Sequence, residues 1–73
     1  MDQRWGRDIE PGAAVTTYGR HGAGQPAIIG EVVKIEHGEV VIDVAIQWVN
    51  GRPHAAKPGT IRRRSISNVR RNV

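Results

Sequence analysis

The sequence predicts an all-β domain, a small barrel of five strands with a 3₁₀ turn before the last strand. No segment of ten or more residues shows the apolar spacing of a helix. Several short runs rich in β-branched residues are instead separated by Gly, Pro and Asn turn signals. A chain of 73 residues has room for one small core. We therefore expect an N-terminal arm at 1–10 and one barrel at 11–73.

The first three strands follow from their composition and alternation. The segment "AAVTTY" at 13–18 predicts the first strand, which ends at the Gly-rich "GRHGAGQP" loop. The segment "AIIGEVVKI" at 27–35 predicts the second strand, and Gly30 within it indicates a bulge or sharp bend. In "VVIDVAIQWV" at 40–49 every second residue from Val40 is large and apolar, which predicts a third strand with that face inward.

The remaining elements are set by turn chemistry. The dipeptide Asn50-Gly51 favours a type I′ hairpin turn, and a fourth strand through "RPHAA" follows, which Pro53 restricts to an edge. After the "KPG" turn, "TIRRR" resumes extended structure, and "SISNV" fits a 3₁₀ turn that Ser65 is placed to cap. The predicted core consists of Val15, Ile29, Val33, Ile35, Val40, Ile42, Val44, Ile46, Trp48, Ile61, Ile66 and Val69.

Two stretches resemble known families. The segments "IEPGAAV", "GEVVKIE" and "EVVIDV" resemble the pattern of KOW and Tudor-type modules, with Pro-Gly, a valine three residues later, and Gly-x-Val before an alternating strand. These families share the SH3-like small barrel, so the resemblance implies that fold over 11–73. The pattern covers about half of the chain and consists mostly of glycine and valine.

The C-terminal stretch "PGTIRRRSISNVRR" is similar to the type II dihydrofolate reductases, which are also SH3-like. The similarity is in the order of Pro-Gly turn, strand, 3₁₀ turn and closing strand. The Val-Gln-Ile-Tyr segment that lines the pore of that tetramer aligns with Ile61, Arg62, Arg63 and Arg64. The residues that contact folate and cofactor in that family are therefore absent, so the resemblance implies the fold and argues against the reductase activity.

The charge of the chain is strongly polarised. Residues 1–51 carry four basic and seven acidic side chains, whereas residues 52–73 carry seven basic side chains and no acidic one. Such asymmetry favours a polyanionic partner. Arginine outnumbers lysine nine to two, and arginine suits bidentate phosphate contact and base stacking.

We expect one exposed patch formed by Arg62, Arg64, Arg70 and Arg71. Alternation places Arg62 and Arg64 on one face of their strand and Arg63 with Ile61 on the other. Further contacts to nucleic acid are expected from Arg52, Lys57 and Tyr18. The same charges also fit a solvated edge strand protected against aggregation.

The expected function is non-catalytic: a small module that binds DNA or RNA through these arginines. The alternative is a protein-interaction module that docks on an acidic partner surface. Self-association would help so small a core and is compatible with both. The small size and basic end would suit a bacteriophage or mobile-element accessory protein.

No enzymatic site, cofactor or metal site is expected. The three histidines, His21, His37 and His54, are 16 and 17 residues apart, which is not a ligand pattern. Ser65 and Ser67 have no histidine near them in sequence. The acidic set of Glu31, Glu36, Glu39 and Asp43 is expected to be a solvated side that pairs with the basic C-terminal part.

The chain is expected to be cytoplasmic and not membrane-bound. It has no cysteine, which suits a reducing compartment. No apolar run approaches the roughly 20 residues of a membrane span, and the N-terminus does not resemble a signal peptide. Trp5 is the one large apolar group of the arm and is expected to dock on the barrel.

Overall fold

A computed structural model describes residues 5–17 and 26–72, and they form an all-β fold as predicted. Within these residues there are six strands, where the sequence predicts five. The strands are β1 (Ala14–Thr17), β2 (Ile28–Glu36), β3 (Glu39–Val49), β4 (Arg52–Ala55), β5 (Ile61–Ser65) and β6 (Val69–Arg71). The predicted 3₁₀ turn lies at Ile66–Asn68, directly before the last strand.

The long strand β3 organises the sheet, and all pairings are antiparallel. β2 pairs with β3 along one edge, β1 pairs with β2, and β6 pairs with β1. The other edge of β3 is shared by β5, which pairs with residues 39–43, and β4, which pairs with residues 46–49. β4 and β5 thus follow one another along the same side of β3.

The N-terminal arm lies along β6. Trp5 forms a β-bridge with Arg70, and the backbone N–H of Gly6 donates a 2.7 Å hydrogen bond to the Val69 carbonyl. Ile9 packs against the core, and Trp5 remains 37% exposed. The described part of the arm therefore covers the β6 edge of the sheet, whereas no described strand pairs with the sides of β4 and β5 that face away from β3.

The two tight hairpins use residues with positive φ. Asn50 and Gly51 have φ values of 52° and 77°, as a type I′ turn requires, and β4 follows them as predicted. His37 and Gly38, between β2 and β3, have φ values of 53° and 75°. At the 3₁₀ turn the prediction for Ser65 is wrong: its side chain makes no cap hydrogen bond, and its Oγ lies 3.0 Å from the Oγ of Ser67.

The core is small and mostly aliphatic. Seven of the predicted core residues belong to it or pack against it. Two of them, Ile35 and Ile66, are partly buried, and the other five are buried. These buried predicted members are Val15, Val40, Ile42, Val44 and Val69. Ala13, Ile28 and Val32 also belong to the core and were not predicted.

A bulge in β2 explains why two core predictions in that strand are wrong. The register passes from Val32 opposite Ile42 to Lys34 opposite Val41, so Val33 has no partner. Val32 points inward, and Val33 is 49% exposed. Counting back from Val32, Ile28 is inward and Ile29 lies half-buried on the outer face.

A second bulge, in β3, displaces two further predicted core residues. Ile29 pairs with Ile46, but Gly30 pairs with Val44, so Ala45 is the extra residue. Beyond Ala45 the alternation is inverted, and Ile46 and Trp48 lie half-buried on the face opposite to Val44. The predicted bulge at Gly30 is confirmed, although the extra residue lies in the partner strand.

Candidate nucleic-acid interface

The arginines of β5 alternate as predicted, but only one of the two on the inner face is exposed. Arg62 and Arg64 lie opposite Ile42 and Val40, whose side chains are fully buried. Residues directly opposite one another share a face of the sheet, so both arginines start on the core side. Ile61, opposite Asp43, is on the outer face and is 45% exposed, which makes its prediction as a core residue wrong.

Arg64 is buried, which corrects the expectation that it belongs to an exposed patch. Its residue exposure is 6%, because the core-side position opposite Val40 directs the side chain across the barrel. The Nη1 group donates to the Arg63 carbonyl at 2.8 Å and Nη2 donates to the Pro26 carbonyl at 3.3 Å. Burial, together with the neighbouring Arg62 charge, lowers the pKa of Arg64.

Arg63 lies on the outer face and is neutralised there. Its Nη2 donates to Glu36 Oε1 at 2.9 Å, and its Nη1 is 3.8 Å from Glu39 Oε1. Lys34 also pairs with Glu36, at 3.6 Å. The Arg63 hydrogen bond and the Lys34 charge lower the pKa of Glu36. The expected pairing of the acidic side with the C-terminal arginines is confirmed for Glu36 and Glu39.

The two arginines of β6 are also engaged by neighbours. Arg71 lies 3.5 Å from Glu10 Oε1 and donates to the Asp8 carbonyl at 3.4 Å. The guanidinium carbon of Arg70 lies 5.4 Å from the ring centroid of Trp5, a cation–π geometry. The four arginines predicted to form one patch therefore occupy four different environments.

Five exposed cations have no ion pair with a carboxylate in residues 5–17 or 26–72. Arg7 and Arg70 lie on the side of the arm and β6, whereas Arg52, Lys57 and Arg62 lie on the side of β4 and β5, and we call these last three the basic edge. Arg52 begins β4, Lys57 lies in the β4–β5 connection, and Arg62 is in β5, so all three lie in the stretch of chain that runs along one side of β3. Arg62 Nη1 donates to its neighbouring carbonyl, that of Ile61, at 2.9 Å.

The length of the basic edge follows from the register along β3. Arg52 is opposite Val49 and Arg62 is opposite Ile42. At about 3.3 Å per residue, with one residue absorbed by the bulge at Ala45, these positions are about 20 Å apart. The basic edge is therefore an extended row of charges rather than a compact cluster.

Aromatic groups contribute little to this surface. Trp48 is half-buried opposite Pro53, and Trp5 lies against Arg70 at β6. Tyr18, which the sequence predicts as a contact, lies outside the described residues. Within those residues no group of three or more His, Asp or Glu side chains is arranged to hold a metal ion.

The comparisons with known proteins give no family. Neither protein-family models, nor curated proteins, nor solved structures contain a match to this chain. Over the described ranges, no helix has the length and apolar character needed to cross a membrane.

Proposed function

We propose that this protein is a non-catalytic module that binds the phosphate backbone of nucleic acid through the basic edge. The observation that supports this most is the sorting of the cations. Arg63 and Arg71 are paired with carboxylates, while Arg52, Lys57 and Arg62 remain exposed along one side of the sheet. Unpaired surface cations release counter-ions from a polyanion when they contact its phosphates, which supplies binding free energy.

The proposed mode of contact is sequence-independent. Base stacking needs exposed aromatic platforms, and the described residues offer none beside the basic edge. A row about 20 Å long matches about six base pairs at 3.4 Å each, so a duplex or a structured RNA is the favoured ligand. Phosphate contacts fix position without reading sequence, so we expect little preference among sequences.

The salt dependence of binding tests this proposal. Three phosphate contacts to a duplex predict a plot of log Kobs against log salt with a slope of about −3. The measurement is fluorescence anisotropy with a labelled 12-base-pair duplex of DNA, and with the same duplex in RNA, from 25 to 200 mM NaCl. Absence of binding at 25 mM, or a slope near zero, would refute the proposal.

The alternative, docking on an acidic protein surface, has one observation in its favour. Two exposed apolar side chains neighbour the basic edge: Val49 opposite Arg52 at 44% exposure, and Ile61 beside Arg62 at 45%. Apolar groups among cations are more typical of protein interfaces than of phosphate contacts. A partner retained after nuclease treatment, together with no affinity for either duplex, would favour this alternative. Since the chain has no cysteine, we place either activity in the cytoplasm.

A further inference from the structure

Arg64 is a buried cation whose bonding is incomplete. A guanidinium has five N–H donors, and the two bonds of Arg64 both go to backbone carbonyls, those of Arg63 and Pro26. Its Nε is buried and has no acceptor among the described residues. No carboxylate in that part of the chain pairs with it, and Arg62, the next residue on the same face, carries the same charge.

This arrangement opposes folding when no anion is present. A buried charge without a counter-charge is unfavourable, and an apolar side chain of similar length could fill the same space without that cost. The position opposite Val40 in the barrel therefore does not by itself account for an arginine. An arginine at this position is explained if an anion accepts hydrogen bonds from the remaining N–H groups of Arg64.

We infer that Arg62 and Arg64 together hold one phosphate group, with Arg64 as its buried anchor. This inference rests on the proposed function and identifies the contact that distinguishes the site from a diffuse row of charges. Side chains two residues apart on one face of a strand are neighbours, so a single anion can contact both. Such an anion removes the repulsion between two adjacent guanidinium groups and gives Arg64 a charged acceptor.

Arg64 can reach an anion with a small movement. Its bond to the Pro26 carbonyl, at 3.3 Å, is longer than the usual range for N–H···O, so that end of the guanidinium is weakly held. Arg62 is exposed and marks the solvent side from which the anion approaches. The ligand is defined by its phosphate chemistry, which both inorganic phosphate and the nucleic-acid backbone supply.

The inference links phosphate binding to folding. An anion that binds only the folded state stabilises it in proportion to the logarithm of its concentration. We expect 50 mM sodium phosphate at pH 7 to raise the melting temperature by about 5 °C relative to NaCl of equal ionic strength. The Arg64→Met variant should lose this increment, and its melting temperature in NaCl should equal or exceed that of the wild type.

Two further variants make the thermal test decisive. Arg63→Met changes the adjacent arginine, which is paired with Glu36, and should keep the phosphate increment. Arg62→Met changes an exposed residue, so it should fold and should lose the increment, even if Arg64→Met fails to fold. No phosphate increment in the wild type, or a full increment in Arg62→Met or Arg64→Met, would overturn the inference.

Titration with the 12-base-pair DNA duplex separates this inference from the proposed function. If Arg64→Met binds the duplex about tenfold more weakly than the wild type while Arg63→Met does not, the anchor is supported. If Arg64→Met binds with unchanged affinity while the wild type retains its salt dependence, the anchor is wrong and the proposed function stands. If the wild type does not bind the duplex, the proposed function fails. The melting experiments in sodium phosphate then decide by themselves whether Arg62 and Arg64 form an anion site.

Discussion

Replacing Gly30 with alanine is expected to lower the melting temperature by more than about 10 °C, the largest stability effect of any single methyl group added to this sheet. A Cβ at position 30 would lie 2.3 Å from the Asp43 carbonyl oxygen and 2.7 Å from Ile42 Cγ2. Both neighbours belong to the central strand β3, so neither can move without disturbing the pairing of β2 with β3. Overpacking of this kind lowers the free energy of unfolding by about 1–3 kcal/mol. We expect a value at the upper end of this range, because the Asp43 carbonyl belongs to the backbone and cannot rotate away as a side chain can. The melting temperatures of the wild type and the variant are measured by thermal unfolding monitored with circular dichroism.

Gly12→Ala is the matched control for this prediction. Gly12 has a φ of 89°, but a Cβ there would meet nothing within 4 Å. Its expected cost is about 1–2 kcal/mol from the left-handed backbone alone. A melting temperature for Gly30→Ala equal to or above that of Gly12→Ala would show that β2 and β3 are not as close at the bulge as described.

The largest effect on function is expected from the basic edge. Replacing Arg52, Lys57 and Arg62 together with glutamine should reduce duplex affinity at least about 100-fold at 50 mM salt, and should bring the slope of log Kobs against log salt close to zero. All three side chains are exposed, so the folded state should be retained. Anisotropy titrations measure affinity and slope in the same experiment.

A second triple variant controls for net charge. Replacing Lys34, Arg63 and Arg71 with glutamine lowers the net charge from +4 to +1, as the basic-edge variant does, but removes only cations that are paired with carboxylates. Exposed ion pairs contribute little to stability, so this variant should also fold. We expect its duplex affinity to stay within a few-fold of the wild type. Equal losses in both variants would mean that net charge, not the basic edge, controls binding.

The elements that sequence reasoning predicts well are those with strong local signals. The alternation of β3, the Asn50-Gly51 turn and the 3₁₀ turn at 66–68 each depend on a few adjacent residues, and each is present. Inward positions are predicted well only up to a bulge. A bulge inserts one residue and inverts the faces beyond it, and neither Val33 nor Ala45 carries a side-chain signal for that role.

The prediction that Arg62, Arg64, Arg70 and Arg71 form one exposed patch is wrong. Contacts between residues that are far apart in sequence place these side chains in different environments. Alternation places Arg62 and Arg64 on one face, but only the register with Val40 shows that Arg64 enters the barrel. Arg63 and Arg71 are neutralised by Glu36 and Glu10, which are 27 and 61 residues away in sequence. The charge asymmetry between 1–51 and 52–73 does not reveal these pairs. Arg52 and Lys57, expected as secondary contacts, become central once the paired cations are removed.

NMR can locate nucleic acid on the surface of the protein directly. Uniformly ¹⁵N-labelled protein would be titrated with the unlabelled 12-base-pair duplex at low salt, and the amide shifts mapped on the sequence. We expect the largest shifts in β4, the β4–β5 connection and β5 through Arg64, with small shifts along β6 and the arm. Shifts centred on the Trp5, Arg70 and Arg71 side of the sheet would contradict this expectation.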